Sequence, residues 1–215
     1  MNTCLIITGG EYSPIPENLS YNYSIACDLG YEHAKTLGIT PDLIIGDFDS
    51  LQEEQLLDVQ IPVVRHPSKK DDSDTMLAIK YAIRQGYDHI CMICALGGRW
   101  DHAFANVQSM TYAAKHGVTC EIIAKDDTLR TFFGGEIRLK RRERYAFSLF
   151  ALTDTCEYIC ITGAKYPAED ITLTNDFPLG LSNAWEADEV KITMDKGTML
   201  IVESYAGRVF RTFPV

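Results

Sequence analysis

Two carboxylates one residue apart, in Gly46-Asp47-Phe48-Asp49-Ser50, follow the apolar run Leu43-Ile44-Ile45. In an extended segment, residues i and i+2 point to the same side, so Asp47 and Asp49 can face one cation. Two such charges about 4 Å apart repel by ~4 kcal/mol at an effective dielectric of about 20, a cost that a bound divalent cation removes. Hard oxygen ligands of this kind suit Mg²⁺, which commonly sits between a few carboxylates and substrate phosphates. Asp28 ends a second apolar run, Tyr23-Ser24-Ile25-Ala26-Cys27, and Asp71, Asp72 and Asp74 surround Ser73 at the start of a helical pattern. A helix macrodipole favours negative charge there. Capping explains acids in such places equally simply, and it is the preferred reading for Asp72 and Ser73.

Gly97-Gly98-Arg99-Trp100-Asp101-His102 lies where a buried strand meets the next helix. The glycines allow close backbone approach, the helix start presents N–H groups, and Arg99 offers a bidentate fork to a phosphate. This is neither a Walker A loop nor a GxGxxG fingerprint, and a tight turn with a surface arginine accounts for it as well. His102 and Asn106, spaced i, i+4, share a helix face. His102 is either a proton acceptor or, as lone histidines more often are, a hydrogen-bonded structural group. Arg138 to Arg144 holds five basic residues among seven; on an alternating strand it reads as a solvated face rather than a phosphate or membrane patch.

These residues need a scaffold that gathers them. The first half alternates short apolar runs with helical periodicity, the pattern of βαβ units and a mainly parallel sheet. Strands are expected at Leu5-Ile6-Ile7, at Tyr23 to Cys27, at Leu43 to Gly46, around Val63-Val64, from His89 to Leu96, and at Glu121 to Ala124. Helices are expected after Gly30, from Ser73 to near Gly86, and from about Trp100 to His116. After Asp126-Asp127 the pattern changes to period 2 and helical periodicity stops, with short strands through Glu136-Lys140, Tyr145-Leu149, Ile171-Leu173, Val190-Met194 and Met199-Val202. The expected fold is α/β: a mainly parallel-sheet domain over 1–125 followed by a small antiparallel β-sandwich over 126–215. In an open parallel sheet, ligands collect at the carboxyl ends of the strands, which is where Asp28, Asp47 and Asp49 fall.

A length of 215 residues with 46% hydrophobic and 23% charged residues fits a globular chain with a proper core. A net charge of −10 argues against non-specific nucleic-acid binding. The amino terminus lacks the basic segment of a signal peptide, and no run approaches the ~18 apolar residues of a membrane span, so a cytoplasmic location is expected. Seven cysteines, most in apolar strand-like segments, fit reduced thiols used as core residues. Cys91-Met92-Ile93-Cys94 has no second ligand pair at zinc spacing, so buried thiols are preferred over metal or redox function.

Taken in order, Cys27-Asp28-Leu29-Gly30, Pro41-Asp42 through Ser50, Lys70-Asp71-Asp72-Ser73-Asp74, and Gly97 to His102 with Asn106 resemble the thiamine pyrophosphokinases. So do Ser148-Leu149-Phe150, Thr162-Gly163-Ala164-Lys165-Tyr166-Pro167 and Gly180-Leu181-Ser182-Asn183. The resemblance covers nearly the whole chain. It implies transfer of a pyrophosphoryl group from ATP to the hydroxyl of thiamine, releasing AMP, in a homodimer whose active site lies between the α/β domain of one subunit and the β domain of the other. By motif, Asp28, Asp47, Asp49 and Asp74 would hold Mg²⁺. Asp49, Asp74, Arg99 and Asp101 would act on the transferring group, and Asp28, Arg99, Asp101, His102 and Asn106 would border the nucleotide. Tyr166, Ser182 and Asn183 would lie near thiamine. Either an aspartate or no strong base would handle the hydroxyl proton. Two positions depart from the family pattern: Leu29, where Asp-Gly-Gly is frequent, and Tyr166, where relatives carry Trp.

Overall fold

The computed structural model describes residues 1–46, 61–66 and 71–207, and the chain divides into two units, Met1–Lys125 and Asp126–Val215. Asp47 and Asp49 therefore lie outside the described residues. In the first unit a parallel sheet is formed by β1 (Thr3–Ile7), β2 (Tyr23–Cys27), β3 (Leu43–Gly46), β4 (Val63–Arg65), β5 (His89–Ile93) and β6 (Thr119–Ile123); β1, β3 and β5 are apolar runs buried on both faces, whereas β4 is only partly buried. Their spatial order is β6-β5-β1-β2-β3-β4, and every neighbouring pair is parallel. Helix α1 (Gly30–Thr36) packs on β1 and β2, while α2 (Asp74–Arg84) packs on β1, β2 and β3 and against α3 (Trp100–Lys115). The first crossover, residues 8–22, is irregular where a helix would be usual; Ile15, Leu19 and Tyr21 cover the sheet there.

The order reverses between β1 and β5. Chains leaving their carboxyl ends diverge at such a switch point and leave a crevice. This crevice is bordered by Thr8-Gly9-Gly10 after β1 and Cys94 to Gly98 after β5. β5 stops at Ile93, three residues short of the expected Leu96, because Cys94 adopts a left-handed backbone (φ 56) that turns the chain out of the ladder.

The second unit has two antiparallel sheets. One is β12 (Gly180–Asn183), β9 (Tyr145–Ala151), β14 (Met199–Tyr205) and β7 (Asp127–Phe132), in that order; the other is β11 (Ala168–Thr174), β10 (Thr155–Thr162), β13 (Glu189–Met194) and β8 (Gly135–Lys140). Alternation along β9 and β13 sends every second side chain inward, and Phe147, Leu149 and Ile201 of one sheet meet Ile159, Val190 and Ile192 of the other. Trp185 packs edge-on against Phe147 at 5.0 Å and donates its indole N–H to the Leu139 carbonyl at 2.9 Å, so its polar edge is satisfied inside the core. The expected sandwich is present, with three strands that the alternation did not mark: β7, β10 and β12.

Candidate functional site

Asp28 sits directly after β2 with φ 45, a backbone that aspartate tolerates better than most side chains. A Cβ on Gly46 would run into the Asp28 carboxylate, so the missing side chain at Gly46 leaves room for that carboxylate at the carboxyl end of β3. Gly46 is the residue that leads into Asp47. On the other side, the Cys27 thiol lies 3.7 Å from the Asp74 carbonyl, which brings the first turn of α2 beside the end of β2. The start of α2, where Asp74 lies, is thus beside the strand end that Asp28 follows. Among the described residues no three acidic, histidine or cysteine groups are placed to hold a metal, and Asp47 and Asp49 are not among them. Asp28 and Asp74 are carboxylates at a strand end and a helix start, hard oxygen groups of a kind that suits Mg²⁺.

The neighbouring acids separate from this group. Asp72 accepts from the Lys80 ammonium at 2.7 and 2.8 Å, and Ser73 caps α2 by accepting from the Met76 N–H at 3.1 Å. Asp42 accepts from both the N–H and the hydroxyl of Ser24, at 2.8 Å each, and ties the start of β2 to that of β3, at the opposite end of the strands from Asp28.

At the start of α3, Arg99 and Asp101 form a two-pronged pair, Nε to Oδ1 at 3.1 Å and Nη2 to Oδ2 at 2.5 Å, with both side chains exposed. Hydrogen bonds from Arg99 hold the Asp101 carboxyl below its ordinary range and raise the guanidinium in return. The arginine fork is therefore already turned toward an oxyanion, in a conformation that a phosphate could take over. His102 is exposed. Asn106 is buried and donates to the Ala95 carbonyl at 2.8 Å, which ties α3 to the β5–α3 loop.

Sequence reasoning passed over the opposite lip of the crevice. The Thr8 hydroxyl donates to the Cys94 carbonyl at 2.5 Å, and the Gly10 N–H donates to the same oxygen at 2.7 Å. A Cβ on Gly10 would strike that carbonyl, so the two loops approach as closely as they do because Gly10 has no side chain. His33 Nε2 lies 2.9 Å from the Gly10 carbonyl, tying α1 to the loop. The signal available was Gly9-Gly10 immediately after a strand. As for the Leu29 departure, its Cβ position lies against Gly9, while Gly30 is required because a side chain there would collide with the Ile7 carbonyl.

In the second unit, Tyr166, Ser182 and Asn183 come together around a pocket of roughly 470 Å³ that Ala146, Ser148 and Lys165 also line. Ser182 has φ 59 and donates its N–H to the Ser148 hydroxyl at 3.0 Å. Tyr166 is 58% exposed, so its ring is available at the rim. Ser148 and Lys165 were visible in the sequence only as parts of longer segments.

The remaining features have structural partners. Arg138 pairs with Glu136 and Glu189, Arg141 with Glu143, and Arg142 with Glu203 while lying 3.7 Å from the Tyr145 ring centroid, so this basic run is ion-paired across strands. None of the seven cysteines forms a disulfide. Burial pushes the Cys4 thiol up to about 12 and raises Cys91 and Cys94, which keeps these thiols protonated and inert. Among the described residues no helix is long and apolar enough to cross a membrane.

Comparison with known proteins covers both units. The pattern defining "Thiamin pyrophosphokinase, catalytic domain" matches residues 18–122, and that of "Thiamin pyrophosphokinase, vitamin B1 binding domain" matches residues 135–199. A thiamine pyrophosphokinase of Bacillus subtilis is 27% identical over 212 residues, covering 95% of this chain and 99% of its own. The crystal structure of the Bacillus subtilis thiamine pyrophosphokinase superposes with a TM-score of 0.84 at 25% identity, over 94% of this chain and 99% of that one. That of Geobacillus thermodenitrificans gives 0.78 at 25% identity, over 94% and 97%. The yeast enzyme shares the fold, with a TM-score of 0.76 at 13% identity over 99% and 89%.

Proposed function

The chain belongs to the thiamine pyrophosphokinase family, whose members transfer pyrophosphate from ATP to thiamine, and from that premise we propose how its own residues divide the work. The reaction joins the β-phosphorus of ATP to the thiamine hydroxyl, giving thiamine diphosphate and AMP. The observation that carries this assignment is the match of both family patterns, catalytic and vitamin-binding, in order along one chain.

In this reading Asp28, Asp47, Asp49 and Asp74 hold Mg²⁺. When bound, the ion would supply neutralisation of phosphate charge at the reacting centre. Arg99 turns from Asp101 to the phosphates, with His102 beside the nucleotide, and Asp101 restores the arginine to its resting position. The placement of the start of α2 beside the end of β2 supports this reading, as does the exposed Arg99 fork at the start of α3. Tyr166 offers a ring face to the thiamine pyrimidine, and Ser182 a polar edge. Because a loose transition state asks little of the nucleophile, in-line positioning of the hydroxyl matters more than a strong base. The active enzyme is a homodimer that brings the catalytic unit of one subunit to the vitamin-binding unit of the other. It works in the cytoplasm, a placement supported by seven cysteines that form no disulfide.

Incubation with ATP, Mg²⁺ and thiamine is expected to yield AMP and thiamine diphosphate in equal amounts. ADP in place of AMP, or AMP formed without thiamine, would overturn the reaction.

A further inference from the structure

Asn183 is buried, although it lines the pocket beside the exposed Ser182. The register of β12 against β9 shifts between Gly180 and Asn183, and Ser182 takes the left-handed backbone at that irregularity. A bulge of this kind re-aims the next side chain. Here the amide of Asn183 points to the main chain of Tyr166: Oδ1 accepts the Tyr166 N–H at 3.0 Å, and Nδ2 donates to the Tyr166 carbonyl at 2.8 Å. Oδ1 also accepts the Ala184 N–H at 2.9 Å. A side-chain amide carries the same donor and acceptor as a peptide group, so Asn183 stands where a neighbouring strand would pair with Tyr166. Lys165 donates its N–H to the Ala184 carbonyl at 2.8 Å, whereas Pro167 has no N–H to give. The Tyr166 ring projects from the residue between them.

We propose that Asn183 is a positioning residue that acts on the ligand of this pocket through Tyr166, by fixing the main chain from which the aromatic ring projects. This rests on the reading of the pocket as the thiamine site. It differs from direct contact in a way that can be measured: an effect transmitted through the ring vanishes when the ring is gone, whereas the effects of two separate contacts add.

The experiment is a double-mutant cycle on the intact enzyme, with Asn183→Ala, Tyr166→Leu and the double variant, reading KM for thiamine, KM for ATP and kcat. Asn183→Ala is expected to raise KM for thiamine about tenfold, the scale of a misplaced aromatic contact, with KM for ATP unchanged. In the Tyr166→Leu background the same substitution is expected to change KM for thiamine by less than about twofold. Additive effects in the cycle would overturn the proposal. Asn183→Asp keeps the shape and both accepted hydrogen bonds but loses the donor to the Tyr166 carbonyl; it replaces Asn183→Ala in the cycle if the latter does not fold. A wild-type protein that shows no dependence on thiamine would bring down the reading of the pocket together with the proposal, whereas additivity in an enzyme that does use thiamine defeats the proposal alone.

Discussion

Asp28 combines a left-handed backbone with a carboxylate lodged over Gly46. Asparagine tolerates the same backbone, so Asp28→Asn removes the charge with little conformational cost. Turnover is expected to fall at least ~100-fold, the scale of a lost electrostatic contact at a reacting centre. The circular dichroism spectrum should be unchanged; near-normal turnover would remove Asp28 from the metal site. The Arg99–Asp101 pair gives a second test at this scale. The Asp101 carboxyl is held below its ordinary value of 3.8, first by the hydrogen bonds from Arg99. A depressed folded value means that the pair's contribution is fully present above that ordinary value and is lost as pH falls through the folded one. Arg99→Ala should return the carboxyl toward 3.8, read by NMR titration of Asp101, and an unaltered titration would show that the pair does not form in solution. That Asp28 follows a strand and Asp101 opens a helix was legible in the sequence, because the apolar runs mark where those elements stop and start. The main-chain partners of Asn106 and Asn183 were not, since an amide looks the same on paper whatever it bonds to.

Elements obeyed the sequence where one rule governed them. Continuous apolar runs became strands buried on both faces, and Ser73 became a helix cap. The rule failed where the backbone departs from it. β10 carries two register shifts against β11, and Tyr158 within it has φ 57, which breaks the alternation that would have marked Thr155–Thr162 as a strand. β12 is only Gly180–Asn183, with Leu181 and Ser182 exposed, so it offers no inward pair to read. Gly30 shows what element packing demands of one position. Its substitution by Ala forces a Cβ into the Ile7 carbonyl and pushes α1 off β1, a steric conflict with rigid backbone. Gly30→Ala is expected to destabilise the protein by about 2 kcal/mol in denaturant melts, within the range for overpacked sites. Unchanged stability would mean that α1 can shift without loss.

At the scale of the molecule, the change of periodicity after Asp126-Asp127 made two architectures legible, because a helix and a half-buried strand repeat differently. The proposed pairing of subunits has no comparable signature, since a surface that meets a second copy has no periodicity of its own. Sedimentation at assay concentration should show a dimer, and a fully active monomer would defeat the proposed arrangement of the site.

The sealed thiols turn the chain into a recorder of its own opening. Cys4, Cys27, Cys91, Cys94 and Cys120 are buried in the first unit and Cys156 in the second, whereas Cys160 is partly exposed. A thiol reagent in excess should therefore label Cys160 promptly and the others only as their unit unfolds. Each unit has its own apolar core, so five thiols and one should react in separate kinetic phases, resolved by mass spectrometry. A single phase of six would show that the two units come apart together, and the number of labels at any moment would count how far a population has opened without any added probe.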